Sequence, residues 1–443
     1  MPKILSIQEF GYWQIYILYT SFVMFLNFGW TDGLYLKNGG IQYENLDKKE
    51  LNSQFRCFLV VQTMLFLIIM LFFILTMHDS DKLTIFISVC ICGVILNVRN
   101  MLLYILLASE RIKEYSLIVR VDRIVYGVII FLLIILKSNN YTLLIFSDLV
   151  GKTVSLIMLS VICRDIVFSR KERKLNITNI ISNISSGSKI MFSALISMLI
   201  IGIVRMSIEY LWSIEVFAKV SLTLSLSNFF MIFINSISVI FFPILRRQKK
   251  ENLVPVYEVM RILFNIILFA ILFCYFPLKF IISLWLPKYV ESLKYMIILL
   301  PTIIFEGKVS LLTNTFLKTL HQEKSILNSN ILSFFISIIL TALNIFVFKN
   351  LTLAIISILI VLIFRSVFSE FLLSKKLNIH IKLDIILDII ITLLFMVTVF
   401  ISSEGISFCF YLMVYVIYIA INWKRIIQAS LVLRSHFAKK EDK

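Results

Sequence analysis

The sequence predicts an all-α integral membrane protein, a polytopic helical bundle. Apolar runs recur from Tyr12 to Arg425 with only brief polar gaps between them, and 60% of the 443 residues are hydrophobic. The mean hydropathy of +0.95 is far above that of soluble proteins. Because no polar stretch approaches the size of a separate soluble domain, on the order of 100 residues, any function must be built from helices and short loops.

Thirteen of the apolar runs have about the twenty residues that a helix needs to cross the hydrocarbon core of a bilayer. In chain order the predicted spans are residues 12–30, 56–77, 83–107, 117–136, 142–163, 188–209, 217–243, 259–285, 293–314, 327–348, 351–372, 385–402 and 407–425. The gaps at Asn139 and Asn350 are predicted to be tight turns between neighbouring spans.

The charge of the gaps alternates along the chain, and this alternation predicts the orientation of the spans. Every second gap is rich in basic residues, and this set leads to a basic C-terminal tail. The gaps between them hold few basic residues. The basic set contains Lys37, Lys48, Lys49, Arg111, Lys113, Arg170, Lys171, Arg173, Lys174, Arg246, Arg247, Lys249, Lys250, Lys318, Lys324, Lys375, Lys376 and Lys382. The positive-inside rule places these gaps and the tail in the cytoplasm. It also explains the net charge of +17 without a nucleic-acid partner.

A weak internal repeat predicts two related lobes. The motif Glu9-Phe10-Gly11-Tyr12 begins one apolar run and Glu215-Val216-Phe217-Ala218 begins another, and both runs lead into a gap that contains Glu-Asn-Leu. Related halves are common in transporters. Because a span precedes only the second copy, we expect the first lobe to lack its first helix, and the intact fold to have fourteen spans. The predicted domains are an N-terminal lobe at 1–163, a basic cytoplasmic linker at 164–187, a C-terminal lobe at 188–372, and a terminal helix pair with a basic tail at 373–443.

Four segments carry a likeness to a known family. They are Leu5-Ser6-Ile7-Gln8-Glu9-Phe10-Gly11-Tyr12-Trp13, Thr31-Asp32-Gly33-Leu34-Tyr35-Leu36 with Gly39-Gly40, Glu215-Val216-Phe217-Ala218-Lys219-Val220-Ser221-Leu222, and Phe242-Pro243-Ile244-Leu245-Arg246-Arg247. They resemble bacterial polysaccharide flippases of the Wzx type, in the multidrug, oligosaccharidyl-lipid and polysaccharide exporter superfamily. The resemblance implies two six-helix lobes around a central cavity, with two further helices at the end. It also implies a protein of the bacterial cytoplasmic (inner) membrane that flips an undecaprenyl-diphosphate-linked oligosaccharide to the outer leaflet for O-antigen or capsule assembly.

Ionisable residues inside the predicted spans are the candidate functional groups, because charge at membrane depth is costly. They are Arg99, Asp122 with Arg123, Asp148 with Lys152, Arg205 with Glu209, Glu306 with Lys308, and Arg365 with Glu370. The pairs Asp148–Lys152 and Arg205–Glu209 are four residues apart and therefore share a helix face. Asp122, Arg123, Glu306, Lys308 and Glu370 lie near span ends, which favours structural pairs or side chains that reach the headgroups.

The resemblance implies that the deeper arginines bind the diphosphate of the substrate. A diphosphate-linked glycan is anionic, and the planar fork of an arginine binds phosphate oxygens at two points. We therefore expect Arg205 first and Arg99 second to bind substrate in a basic cavity, with Lys152, Arg123, Glu209 and Arg365 beside them. Each of these residues also has a purely structural interpretation.

Alternatives to the flippase remain open at this point. A drug or organic-ion antiporter of the same superfamily would favour deep unpaired carboxylates, and a glycan polymerase or glycosyltransferase would need large catalytic loops, which the short outer gaps do not provide. An inactive remnant is a third alternative. No His/Cys cluster has metal-ligand spacing, so no cofactor or metal is expected. The expected partners are the lipid-linked glycan and membrane lipids; the glycan's identity, the coupling ion, and binding to a polysaccharide polymerase or chain-length regulator stay open.

Overall fold

The computed structural model describes residues 2–169, 176–246, 253–379 and 381–441, and they form helices with no β-strand among them. The all-α polytopic fold class is confirmed. Part of the predicted basic gaps, at residues 170–174 and 247–250, lies outside the described residues, as do Glu251 and Asn252 of the second Glu-Asn-Leu motif. The chain divides into two compact units, Met1–Met198 and Leu199–Lys443.

Unit 1 contains seven helices and the first part of an eighth. They are α1 (Ile7–Val23), α2 (Trp30–Asn38), α3 (Lys48–Thr76), α4 (Ser80–Ala108), α5 (Ile112–Ile135), α6 (Tyr141–Ile162), α7 (Arg164–Val167) and α8 (Ile177–Leu211). Short 3₁₀ segments at Met24–Asn27 and Tyr43–Asn45 flank α2. Residues 177–187, part of the predicted linker, are the first turns of α8.

The described residues of unit 2 form the rest of α8 and ten further helices. They are α9 (Ile214–Arg246), α10 (Leu253–Leu272), α11 (Tyr275–Trp285), α12 (Ser292–Leu299), α13 (Thr302–Lys308), α14 (Asn314–Thr319), α15 (Glu323–Leu343), α16 (Leu351–Leu377), α17 (Lys382–Ile401) and α18 (Glu404–Glu441). A π-helical segment, Val309–Thr313, joins α13 to α14, and another, Asn344–Phe348, extends α15.

Side-chain caps and left-handed residues set many of the helix ends. Asp47 accepts a hydrogen bond from the amide of Glu50 at the start of α3, and Asn350 accepts from the amides of Thr352 and Leu353 at the start of α16. Such caps satisfy amides that have no partner inside the helix. Residues with positive φ follow α4, α5, α14, α15 and α16, and this conformation ends a helix sharply. They are Glu110, Lys137, His321, Lys349 and Asn378.

The described residues include eleven helical segments that are long and apolar enough to cross a membrane, and these coincide with eleven of the thirteen predicted spans. The predicted span at 12–30 corresponds to α1, which has 17 residues and stops at Val23. The predicted span at 117–136 corresponds to α5, which carries Arg120, Asp122 and Arg123. α1 is therefore too short to count as a membrane-crossing helix, and α5 carries too many charged residues.

Each unit has one central helical segment. In unit 1, α4 contacts α1, α2, α3, α5 and α6, and in unit 2 the segment from α12 to α14 contacts α9, α10, α15 and α16. In both units the two spans that follow the central segment pair as neighbours, α5 with α6 and α15 with α16. The two copies of the predicted repeat motif begin α1 and α9, which occupy matching positions in this pattern.

The terminal helices α17 and α18 pack against each other within unit 2. α18 also lies along α10, and α17 also contacts α12. Tyr411 on α18 is buried and donates to the carbonyl of Phe269 on α10. The helix pair that the sequence placed after the second lobe is therefore packed against the helices of that unit.

Candidate functional site

Arg99, the second of the predicted substrate ligands, forms a buried ion pair inside unit 1. Its Nη1 atom on α4 lies 2.9 Å from Oδ2 of Asp122 on α5, and each residue is only 5% exposed. The expected pairing of Asp122 with Arg123 is wrong, and Arg123 is exposed. Successive residues point in different directions on a helix, so Asp122 faces α4 while Arg123 faces away from it.

Lys152 forms the predicted ion pair with Asp148, one turn earlier on α6. The same carboxylate oxygen accepts a hydrogen bond of 2.7 Å from the hydroxyl of Tyr16 on α1. Asp148 therefore joins α6 to α1, as well as neutralising Lys152. Helix periodicity places the two side chains on one face of α6, within reach of each other.

Arg205, the first of the predicted substrate ligands, lies on α8 in unit 2 and has a different environment. Its guanidinium donates to Oγ of Ser221 on α9 at 3.3 Å and lies over the ring of Phe217, 5.7 Å from the centroid. Its Nε atom is buried without a hydrogen-bond partner. The predicted ion pair with Glu209, which is buried one turn later, is not formed, and no other carboxylate among the described residues lies within 4.0 Å of Arg205.

Arg365 on α16 pairs with Glu306 on α13, through Nη1 and Oε2 at 3.0 Å. Its Nε atom also donates to Oδ1 of Asn330 on α15 at 3.0 Å. The expected local partners, Lys308 for Glu306 and Glu370 for Arg365, are therefore wrong. Arg365 is 4% exposed and links three helices of unit 2.

Lys308 and Glu370 belong to a larger charge cluster that sequence reasoning missed. Nζ of Lys308 lies 2.6 Å from Oε1 of Glu370 and also binds Oδ2 of Asp388 on α17. Arg261 on α10 binds Oε2 of Glu370 at 3.0 Å and Oδ2 of Asp384 at 2.6 Å. Asp384 and Asp388 are four residues apart at the start of a predicted span and therefore share one helix face. This spacing is the feature of the sequence from which the cluster could have been predicted.

The first span of unit 1 is broken where it lines an apolar cavity. After Val23 the chain follows a 3₁₀ turn and two left-handed residues, Phe28 and Gly29, with φ of 56° and 80°. Nδ2 of Asn97 donates to the carbonyl of Val23 at 3.1 Å, and Nε2 of Gln62 donates to the carbonyl of Leu26 at 3.1 Å. Broken spans need such partners, because a carbonyl at membrane depth has no water to bind.

The cavity beside this break has a volume of about 470 Å³. Its walls come from α1, α3, α4 and α8 within unit 1 and consist almost entirely of aromatic and aliphatic side chains, among them Phe22, Phe66 and Phe192. Cavities with such walls exclude water, because water finds no hydrogen-bond partners there. The chemistry of the walls suits a hydrocarbon chain.

Two ion pairs at the ends of the spans shift the pKa of a carboxyl group. Partial burial acts to raise the pKa of Asp165, but hydrogen bonds from Lys48 and Tyr43 outweigh it and hold the pKa below its ordinary value. The hydrogen bond from Lys219 lowers the pKa of Glu291 in the same way. The Nζ atoms of Lys48 and Lys219 lie 2.6 and 2.5 Å from these carboxylates.

The described residues contain no group of three or more His, Cys, Asp or Glu side chains that could hold a metal ion. The charged groups that they bring together are Arg, Lys and carboxylates in ion pairs. Most of these charges are therefore neutralised inside the helix bundle by a partner of opposite sign.

Comparison with solved structures identifies the architecture. The lipid II flippase MurJ, in an inward closed conformation, matches with a TM-score of 0.63 and 15% sequence identity, over 95% of this chain and 94% of that chain. The chain has the MurJ fold. A MOP superfamily transporter from Pyrococcus furiosus Vc1 (DSM3638), described as having a binding pocket of reverse polarity, also matches, with a TM-score of 0.46 and 11% identity over 85% of this chain and 94% of that chain.

Neither a family model nor a curated protein matches the sequence of this MurJ-like chain. The same fold can carry different functions, so the chemistry of particular residues has to decide the function. Of the two arginines expected first as substrate ligands, Arg99 is paired with Asp122, whereas Arg205 forms no ion pair among the described residues.

Proposed function

We propose that the protein is a transporter that flips an undecaprenyl-diphosphate-linked oligosaccharide repeat unit from the inner to the outer leaflet of the bacterial cytoplasmic membrane. The repeat unit serves O-antigen or capsule assembly, and transport proceeds by alternating access around a basic cavity. The protein performs no covalent chemistry in this proposal. The observation that carries it is Arg205, a half-buried arginine whose Nε atom is buried without a hydrogen-bond partner, in a chain with the MurJ fold.

The environment of Arg205 supports binding of a phosphate group. A guanidinium at membrane depth normally has an anionic partner, because an unpaired charge there is costly. Among the described residues, Arg205 contacts a hydroxyl and an aromatic ring instead, and its Nε atom has no hydrogen-bond partner there. A diphosphate would supply the missing charge and accept two parallel hydrogen bonds from the planar fork.

The carboxylates support an anionic cargo over an organic cation. An antiporter for cations would use an unpaired carboxylate at membrane depth. Five carboxylates of the described spans bind Arg or Lys side chains, namely those of Asp122, Asp148, Glu306, Glu370 and Asp388. The apolar cavity in unit 1 also suits the hydrocarbon part of a lipid-linked cargo.

The test is substitution of Arg205 in a strain whose surface glycan depends on this gene. Arg205→Ala should abolish or sharply reduce glycan display, and Arg205→Lys should restore it only in part, because lysine keeps the charge but loses the two-point geometry. For purified protein, loss of a charge-assisted contact worth about 1.5–3 kcal/mol weakens binding of a polyprenyl diphosphate by roughly 10- to 150-fold.

The matched control is Arg120→Ala, which removes an exposed arginine from α5 that donates only to the carbonyl of Ser116. This variant should display glycan and bind polyprenyl diphosphate like the wild type. Normal display from Arg205→Ala, at normal protein levels in the membrane, would refute the proposed role of Arg205. Binding of an organic cation by the wild type, together with indifference to polyprenyl diphosphate, would favour the antiporter instead.

A further inference from the structure

The charge cluster of unit 2 has no role in binding the diphosphate, yet it brings together five ionisable side chains, one of which is Asp388. Arg261, Lys308, Glu370 and Asp388 are each no more than 4% exposed at the side chain, whereas Asp384 is 29% exposed. The four buried charges sum to zero. Asp384 at the rim pairs with both Arg261 and the exposed Arg425, through contacts of 2.6 and 3.1 Å.

A small polar cavity connects the buried part of the cluster to its rim. Its volume is about 10 Å³, close to the minimum that admits one water molecule. Its lining includes the buried Asp388 and Asn265 and the more exposed Asp384 and Arg425. A single water there would have several polar partners and would bridge Asp388 to the exposed rim.

Asn265 is placed to serve two protonation states of Asp388. Its Nδ2 atom donates to Oδ1 of Asp388 at 2.9 Å, which suits an ionised carboxylate. Its Oδ1 atom is buried without a hydrogen-bond partner, and the residue is only 3% exposed. Rotation of the amide would bring this oxygen to accept a hydrogen bond from a protonated Asp388, because an amide carries a donor and an acceptor at one end.

The other groups that face Asp388 come from every helix packed around it. Arg261 and Tyr257 approach from α10, Lys308 from α13 and Glu370 from α16. Tyr418, Asn422 and Arg425 approach from α18, and Asp384 lies one turn earlier on α17 itself. Asp388 therefore has two cationic neighbours in direct contact, and it is the buried carboxylate of the cluster that lines the cavity.

We propose that Asp388 is a proton-binding site that couples uptake of a solvent proton to the transport cycle; this rests on the proposed function. A hydronium ion at the rim transfers one proton through the cavity water to Oδ1 of Asp388. An O–H bond forms on the carboxyl, a neutral water remains, and the cluster gains one positive charge. Release of the proton to water reverses the step.

The protonated state loses one specific helix contact. A neutral Asp388 no longer attracts Lys308, which keeps its ion pair with Glu370, while Arg261 keeps Asp384. The described ion pair that joins α17 to α13 is the Lys308–Asp388 pair. Proton uptake therefore frees α17 from α13 while its contact with α10 persists.

The proton is first detected on the purified protein by infrared difference spectroscopy during acidification. The wild type should show a new carbonyl stretch of a protonated carboxylic acid that Asp388→Asn lacks. Glu404→Gln, which removes an exposed carboxylate paired with Lys279, should retain the signal. Persistence of the full signal in Asp388→Asn would refute Asp388 as the proton-binding residue.

Transport is then measured in proteoliposomes with a fluorescent polyprenyl-diphosphate glycan and an imposed pH gradient. The double variant Lys308→Met/Asp388→Leu removes both charges, so no charge is left unpaired and folding is preserved. We expect it to bind the lipid like the wild type and to lose the acceleration of flipping by the gradient. Acceleration retained in this variant would mean that the pair is structural and would overturn the inference.

The outcomes separate the two proposals. A wild-type protein that flips the lipid equally well with and without a pH gradient, or responds only to a sodium gradient, overturns the proton site and leaves the flippase standing. A wild-type protein that neither binds nor flips the lipid overturns the flippase, and the infrared signal then tests proton binding by itself.

Discussion

Replacing Arg99 by methionine tests whether this arginine is structural or binds substrate. The substitution leaves the carboxylate of Asp122 buried, 5% exposed, without its partner at 2.9 Å. At an effective dielectric constant of about 20, the lost Coulomb attraction at this distance is roughly 6 kcal/mol, and desolvation in the native pair offsets part of it. Breaking a buried pair from one side costs about 3–5 kcal/mol.

The assay is a double-mutant cycle of Arg99→Met and Asp122→Leu, with unfolding in mixed detergent micelles followed by circular dichroism. Each single variant should lose about 3–5 kcal/mol of unfolding free energy, and the double variant should recover most of it, because no charge remains unpaired. If Arg99 is structural, the double variant also displays surface glycan. Additive losses in the cycle would refute the pairing argument, and a stable double variant without glycan display would show that Arg99 binds substrate.

Two further predictions concern unit 1. Gly187→Ala should destabilise the protein by about 1–3 kcal/mol or more, because a Cβ atom there would lie 1.9 Å from the carbonyl oxygen of Gly29, and the backbone cannot shift without strain. The matched control is Gly127→Ala, whose Cβ atom would meet nothing within 4 Å. Equal melting temperatures of the two variants would contradict the prediction. Asp165→Asn should cost at most about 1 kcal/mol at neutral pH, since the pair with Lys48 is one third exposed. Because folding lowers the pKa of Asp165, its contribution is present above the ordinary pKa and disappears as the pH falls through the lowered value, so the stabilities of wild type and variant should converge in acid.

The sequence by itself determined where the chain is helical and which residues share one face of a helix. Long apolar runs exceed the length of a bilayer crossing, and polar caps such as Asp47 and Asn350 mark their starts, so the helices follow from local chemistry. The Asp148–Lys152 pair was predictable for the same reason, because a spacing of four residues always brings side chains to one helix face.

The tertiary structure decided every partner that lies on a different helix. Arg99 meets Asp122 across 23 positions and Arg365 meets Glu306 across 59, whereas the nearer residues Arg123 and Glu370 face elsewhere. The rotation of each helix about its axis and its neighbours in the bundle set these partners, and neither is encoded in local spacing. The sequence was sufficient to predict Arg205 as a candidate ligand, because it is a charged residue inside an apolar run. Its lack of an ion pair among the described residues depends on how α8 packs against α9, and local spacing does not encode this packing.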